Sequence, residues 1–201
     1  MSKGLLLVVS APSAGGKGTI LKELFQQDPN LRMSVSATTR KPRPGEEHGK
    51  HYYFVTREEF QEMVDDGNML EYAEYVGNCY GTPKGPVERW RADGLDVVLE
   101  IEVQGGAQIK CVAPDCVSIF IAPPSMEVLE KRLRGRGTED EETIQKRLET
   151  ARKEIPHGKN YDYIVVNDRL EDAVADVRAI LRSEKMKSER NAELIEKLLA
   201  P

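Results

Sequence analysis

Val8-Val9-Ser10-Ala11-Pro12-Ser13-Ala14-Gly15-Gly16-Lys17-Gly18-Thr19 runs from a β-branched stretch, through a turn of small residues, to one lysine and a helix-compatible segment. Small side chains let backbone N–H groups point at an anion, and the helix that follows adds its positive end. Lys17 supplies a point charge suited to the β- and γ-phosphates of a nucleoside triphosphate. Residues 11–19 are therefore candidates for binding that ligand. The fit to the phosphate-loop pattern G-x-x-x-x-G-K-[ST] is incomplete. Ala11 stands where the first glycine is expected, Gly18 replaces the hydroxyl residue after the lysine, and Thr19 brings a hydroxyl one position late. In many such loops that hydroxyl touches Mg²⁺ directly. Here the contact is expected to be missing or to pass through water. The competing reading is a glycine-rich strand-to-helix turn that binds nothing.

The chain of 201 residues fits one domain with small inserted lobes and is long enough to bury a core. With 39% hydrophobic and 31% charged residues it reads as soluble and globular. A net charge of −5 argues against nucleic acid as a partner. The longest apolar runs, at 5–9 and 117–122, are too short to span a bilayer, and the N-terminus does not resemble an export signal. Three cysteines, Cys79, Cys111 and Cys116, leave one unpaired in any disulfide scheme and lack metal-ligand spacing. A reduced cytoplasmic protein is the expectation.

Periodicity and punctuation predict strands at 4–10, 33–37, 51–55, 70–76, 96–101, 117–122 and 163–166. Helices are predicted at 17–27, from a capping box at Thr56 and Glu59 to Gly67, from Thr82-Pro83 to Gly94, and at 125–134, 141–154 and 170–181. Strands alternating with helices behind a phosphate turn imply an α/β fold with a central parallel sheet. Residues 34–82 are richer in strand and loop signals and are expected to form a separate lobe. The tail from 183 is charged and helical.

The phosphate turn leaves the acceptor open. In Ser34-Val-Ser-Ala-Thr-Thr-Arg-Lys-Pro-Arg-Pro-Gly-Glu46, Arg40 and Arg43 lie on a chain stiffened by Pro42 and Pro44. Two guanidinium forks held this way can grip one phosphate. Glu46, and later Glu71, offer carboxylates that can accept paired N–H donors from a guanine edge, and Tyr52, Tyr53 and Tyr80 can donate to phosphate or stack. A solvated basic loop is the alternative. Lys131-Arg-Leu-Arg-Gly-Arg-Gly137, with Arg147 and Arg152 beyond, provides arginines between glycine hinges. Such a lid can offset the charge of a phosphoryl transition state. Pairing at i,i+4 with Glu130 and Glu149 is the alternative for some of them.

Over residues 3–184 the chain closely resembles guanylate kinases of the bacterial type. The resemblance rests on Ser10-Ala-Pro-Ser13 with Gly16-Lys17, Ser36-Ala-Thr-Thr-Arg-Lys-Pro-Arg-Pro-Gly-Glu46, Gly49-Lys-His-Tyr-Tyr-Phe54 and Gly77-Asn-Cys-Tyr-Gly-Thr82. It continues through Glu100-Ile-Glu-Val-Gln-Gly105, Ile121-Ala-Pro-Pro-Ser125, Arg132-Leu-Arg-Gly-Arg-Gly137 and Val166-Asn-Asp168. It implies a three-layer P-loop kinase fold with a core, an inserted mixed α/β GMP-binding lobe at about 34–82, a mobile helical lid at about 134–155 and a tail from 185. It further implies the reaction ATP + GMP to ADP + GDP with Mg²⁺. In that picture Ser36, Arg40, Arg43, Tyr52 and Tyr80 hold the GMP phosphate, and Glu71 and Thr82, with Glu102, read guanine. Arg132, Arg136 and Arg147 surround the transferring phosphoryl, and Asn167 and Asp168 lie near the adenosine.

This chain departs from the family pattern at Gly18, where a serine is usual, and at Glu100 and Glu102, where many relatives carry aspartates. Gly16-Lys-Gly-Thr19 is similar to the loop of adenylate kinases, so the loop is expected to work. Thr19 and Glu100 are expected to meet Mg²⁺ through water. The acceptor phosphate is already an anion, so no strong base is needed, and His48, His51 and His157 lie in polar contexts without an evident partner. Two rivals remain. One is a guanylate-kinase-like module that binds proteins, a type that typically loses the loop or the GMP residues kept here. The other is a kinase for another nucleotide. The oligomeric state, including a homo-oligomer, stays open.

Overall fold

The computed structural model describes residues 3–75, 77–135, 137 and 140–199. Its core is a five-stranded parallel sheet in the order β2-β7-β1-β8-β9, formed by Leu31–Met33 (β2), Asp96–Glu100 (β7), Leu6–Ser10 (β1), Val117–Ala122 (β8) and Tyr163–Val166 (β9). The central strand is buried on both faces, and successive residues point to opposite sides. Leu5, Leu7 and Val9 pack with Ile20, Leu21 and Leu24 of α1 (Lys17–Gln27) and with Val174, Val177 and Leu181 of α7 (Leu170–Lys185). Leu6 and Val8 pack on the other side with Val87 of α3 (Lys84–Ala92) and Ile109 of α4 (Val103–Val112). Helices thus cover both faces of the sheet, giving the expected three layers.

A second, four-stranded sheet in the order β4-β3-β6-β5 holds Tyr53–Phe54 (β4), Ala37–Thr38 (β3), Asn78–Pro83 (β6) and Met69–Tyr75 (β5). It joins the core through Leu70, which packs with Ile101, and through the Tyr72 N–H, which donates to Gln108 of α4 at 3.3 Å. The helix α2 (Arg57–Asp65) starts with the predicted capping box, Thr56 and Glu59 each bonding the other's backbone N–H. A third apolar cluster joins Leu129 and Leu133 of α5 (Met126–Gly135) to Ile144, Leu148 and Ala151 of α6 (Glu141–Glu154). The last helix among the described residues is α8 (Ala192–Leu199). Among the described residues no helix is long and apolar enough to cross a membrane.

Two local readings are corrected, and two elements are absent from the sequence reading. The strand expected at 33–37 is two strands in different sheets, because the backbone leaves β7 after the Ser34 N–H bonds Val98 and joins the second sheet at Ala37. Thr82 does not cap a helix. It lies in β6, its hydroxyl donates to Glu71 at 2.7 Å, and the helix begins after Pro83. Strand β6 itself hides in the motif Gly77–Thr82, whose glycine and asparagine read as a turn. Helix α4 is unannounced because Gly105-Gly106 lowers its propensity, and its burial against β1 and β5 supplies the stability instead. Val76 and the last two residues of the expected tail lie outside the described residues.

Candidate active site

The loops that follow β1, β7, β8 and β9 all leave the carboxyl edge of the parallel sheet, which is where open α/β sheets bind ligands. Ala11 and Pro12 are buried at the end of β1, and the Pro12 carbonyl accepts the Gly15 N–H at 2.8 Å, closing the turn. Ala14 and Gly16 have φ of 64° and 89°. Residues of alternating handedness turn successive N–H groups toward one point, which makes an anion-binding concavity. Helix α1 begins at Lys17 with Gly16 as its N-cap and no side chain bonded there, so its positive end faces the loop. The Lys17 ammonium bonds the Ile101 carbonyl at 3.2 Å and lies 3.9 Å from the Glu100 carboxylate. Gly18 and Thr19 are exposed, and a Cβ on Gly18 would meet nothing within 4 Å.

Two side chains from elsewhere in the sequence bond the loop. Asn167, after β9, donates its side-chain N–H to the Gly15 carbonyl at 2.9 Å. Glu154, at the end of α6, accepts the Ser13 N–H at 3.2 Å. Burial pushes the Glu154 carboxyl above its ordinary range, and Glu102 adds to the effect. A carboxylate in the last turn of a helix opposes the helix dipole. That misfit is the one signal in the sequence that could have marked Glu154, which the sequence reading missed.

Arg132 on α5 donates to the carbonyls of Asn167 at 2.8 Å and Asp168 at 3.3 Å, while its Nη1 is buried with no protein partner. A buried guanidinium nitrogen without an acceptor fits a phosphate-binding role. The Asp168 side chain is exposed. Arg147 lies half-buried on α6. Arg136 lies outside the described residues. Arg134 follows the alternative reading: its guanidinium is held by Glu130 and Glu141, and that pairing holds the Glu141 carboxyl at about 2.

In the second sheet Arg40, Glu46, Tyr52 and Tyr80 form one cluster. Glu46 takes the Arg40 guanidinium in a fork, at 2.9 and 3.0 Å, and accepts the Arg43 N–H at 2.7 Å. The Arg40 hydrogen bonds hold the Glu46 carboxyl at about 2. The carboxylate that the sequence offers to a guanine edge is thus engaged in orienting Arg40. The Arg40 guanidinium also lies 5.4 Å from the Tyr52 ring centre, and Tyr52 meets Tyr80 edge-on at 6.2 Å. Ser36 comes alongside β4, where its carbonyl accepts the Tyr53 N–H at 2.8 Å.

Glu71 and Thr82 face each other across the β5–β6 pair and are buried. Desolvation pushes the Glu71 carboxyl up, against the pull of the Thr82 hydroxyl. Gly105 of α4 keeps the helix close: a Cβ there would sit 3.3 Å from Glu71 Oε2. Glu102 is the exposed N-cap residue of α4, where the helix end favours a carboxylate. Among the described residues no group of three or more His, Cys, Asp or Glu side chains could hold a metal ion. Glu100, 3.9 Å from the Lys17 ammonium, and Thr19, in the first turn of α1, are oxygen donors of the kind Mg²⁺ takes alongside water and the ligand's own phosphates.

The family model described as guanylate kinase matches residues 3–184. The chain is 53% identical over 187 residues to the guanylate kinase of Desulfitobacterium hafniense (strain Y51), covering 93% of this chain and 94% of that one. It is 52% identical over 191 residues to the guanylate kinase of Lactococcus lactis subsp. lactis, covering 95% and 93%. The crystal structure of guanylate kinase from Anaplasma phagocytophilum aligns with a TM-score of 0.75 at 39% identity, covering 98% of this chain and 96% of that one. The match spans the phosphate loop, the Arg40 cluster and the Glu71–Thr82 pair alike, and the chain belongs to the guanylate kinase family.

Proposed function

We propose that this protein transfers the γ-phosphoryl of MgATP to the α-phosphate of GMP, giving ADP and GDP, and that it accepts dGMP as well. The observation that carries the reading is the pairing of a triphosphate loop with an oriented arginine–tyrosine cluster and a buried Glu71–Thr82 pair. The four-stranded sheet serves as the GMP lobe, and the segment around α5 and α6 serves as the lid. Arg40, Arg43, Ser36, Tyr52 and Tyr80 receive the GMP phosphate. Glu71, Thr82 and Glu102 accept from and donate to the guanine edge, which adenine cannot match. Lys17 and the loop N–H groups hold the ATP phosphates, and Arg132, Arg136 and Arg147 close on the transferring group. Asp168 lies toward the adenosine. Glu100 and Thr19 are the residues that would hold Mg²⁺, through water, when it is bound with ATP, and the ion would supply positive charge to offset that of the phosphates. The work of the chain is to bring two polyanions into line and cancel their repulsion. This places the enzyme in guanine nucleotide synthesis and GMP recycling. A coupled assay of ATP against GMP, dGMP, AMP, CMP and UMP tests the reading. GMP is expected to give the highest kcat/KM, and a higher value for AMP or UMP would overturn it.

A further inference from the structure

The Asn167 side chain occupies a position that a contact with a nucleobase does not require. The residue is only 7% exposed. Its main chain is fixed on both sides: its N–H donates to the Ala122 carbonyl at 2.8 Å, and its carbonyl accepts from Arg132 at 2.8 Å. From that anchored backbone the short side chain reaches the phosphate loop and donates to Gly15 O at 2.9 Å. The space it fills belongs to glycine. A Cβ on Gly16, whose φ is 89°, would stand 2.1 Å from Asn167 Nδ2.

We infer that Asn167 is a positioning residue for the phosphate loop, a strut from the end of β9 that sets the Gly15–Gly16 peptide. A trans peptide is planar, so its C=O and N–H point in opposite directions. Holding the Gly15 carbonyl against Asn167 therefore turns the Gly16 N–H away from the strut, toward the open side of the loop where the triphosphate is received. Only a donor can serve, because the group it meets is a carbonyl. The same residue carries Arg132 on its backbone carbonyl, so β9 sets both the loop and the arginine. Replacing the side chain leaves that second contact in place.

This inference deepens the ATP:GMP reading and rests on it. The test compares wild type, Asn167→Ala and Asn167→Asp for KM of ATP, KM of GMP, kcat, thermal midpoint and inhibition by inorganic tripolyphosphate competing with ATP. Tripolyphosphate has phosphates and no base. Loss of the strut's hydrogen bond is expected to raise both KM for ATP and the tripolyphosphate inhibition constant about tenfold. KM for GMP should stay within about twofold, which also reports an intact fold. Asn167→Asp, isosteric but without the donor, should be impaired at least as much. If tripolyphosphate inhibits the variants as it does wild type while ATP binding weakens, Asn167 acts on the base and the inference is overturned. Unchanged ATP binding overturns it too. Absence of ATP:GMP transfer in wild type would instead overturn the function on which it rests.

Discussion

The two glycines that flank Lys17 should respond in opposite ways to the same substitution. Gly16 has φ 89°, and a Cβ there would lie 2.1 Å from Asn167 Nδ2. An L-residue forced into left-handed backbone costs about 1–2 kcal/mol. Driving Asn167 off the Gly15 carbonyl leaves a buried acceptor unpaired, for about 1–3 kcal/mol more. Gly16→Ala should therefore lose roughly 2–5 kcal/mol, or about 4–20 °C in thermal midpoint at this chain length. Gly18 sits in the first turn of α1, exposed, with nothing within 4 Å of a Cβ. Alanine there gains about 0.5–1 kcal/mol by removing backbone freedom from the unfolded chain, or about 1–4 °C. Thermal unfolding of the nucleotide-free protein, followed by circular dichroism and paired with urea titration, measures both. A Gly16→Ala midpoint within about 2 °C of wild type would refute the strut geometry, and a lowered midpoint for Gly18→Ala would refute the open helix terminus.

Glu71→Gln removes a carboxylate whose pKa burial has raised, so the charged form is a cost to the fold at neutral pH. Wild-type stability should fall as pH rises from the unfolded carboxylate value of about 4.5 through the raised folded value. The variant should lack that slope in urea titrations at several pH values, yet show a KM for GMP raised about 10- to 100-fold. Glu46→Gln frees Arg40 from its fork and should raise KM for GMP about tenfold with a smaller change in kcat. Glu46 keeps its charge down to about pH 2, so acid loss of GMP binding above pH 4.5 in the KM profile should disappear in Glu71→Gln and persist in Glu46→Gln. Glu154→Gln removes a negative charge from the Ser13 N–H and should lower KM for ATP about three- to tenfold. A raised KM would mean that the carboxylate supports the loop rather than competing with phosphate.

The core layers were legible because each was announced by a local signal. The runs at 117–122 and 163–166 and the helices at 17–27 and 141–154 match the structure at both ends. They carry either continuous apolar strands or apolar residues at helical spacing, and burial agrees with propensity. The errors fall where tertiary packing overrides the local signal. Helix α4 carries two adjacent glycines because Gly105 must approach Glu71 and Gly106 must approach Tyr161. Strand β6 ends at a proline that can close a strand as readily as open a helix, and pairing with β5 decides the matter.

The site divides along the same line, and Glu46 and Glu71 show why. In sequence they are two acids near tyrosines, each able to accept from a guanine edge. Arg40 is six residues from Glu46, and the proline-stiffened turn between them returns the chain so that the fork closes locally. Glu71 finds its partner 11 residues on, across a hairpin, with α4 pressed over it. The first acid is thereby held at about 2 and committed to orienting a cation. The second is buried beside a hydroxyl and pushed up. A buried carboxylate bonded by the hydroxyl and backbone of one threonine leaves acceptor capacity unfilled, and an acceptor kept out of water discriminates strongly between a ligand that donates to it and one that does not. On the proposed reading, specificity for guanine therefore belongs with Glu71, and Glu46 acts on GMP through Arg40. Residue type and spacing cannot make that division, because it depends on which neighbour the fold delivers to each carboxylate.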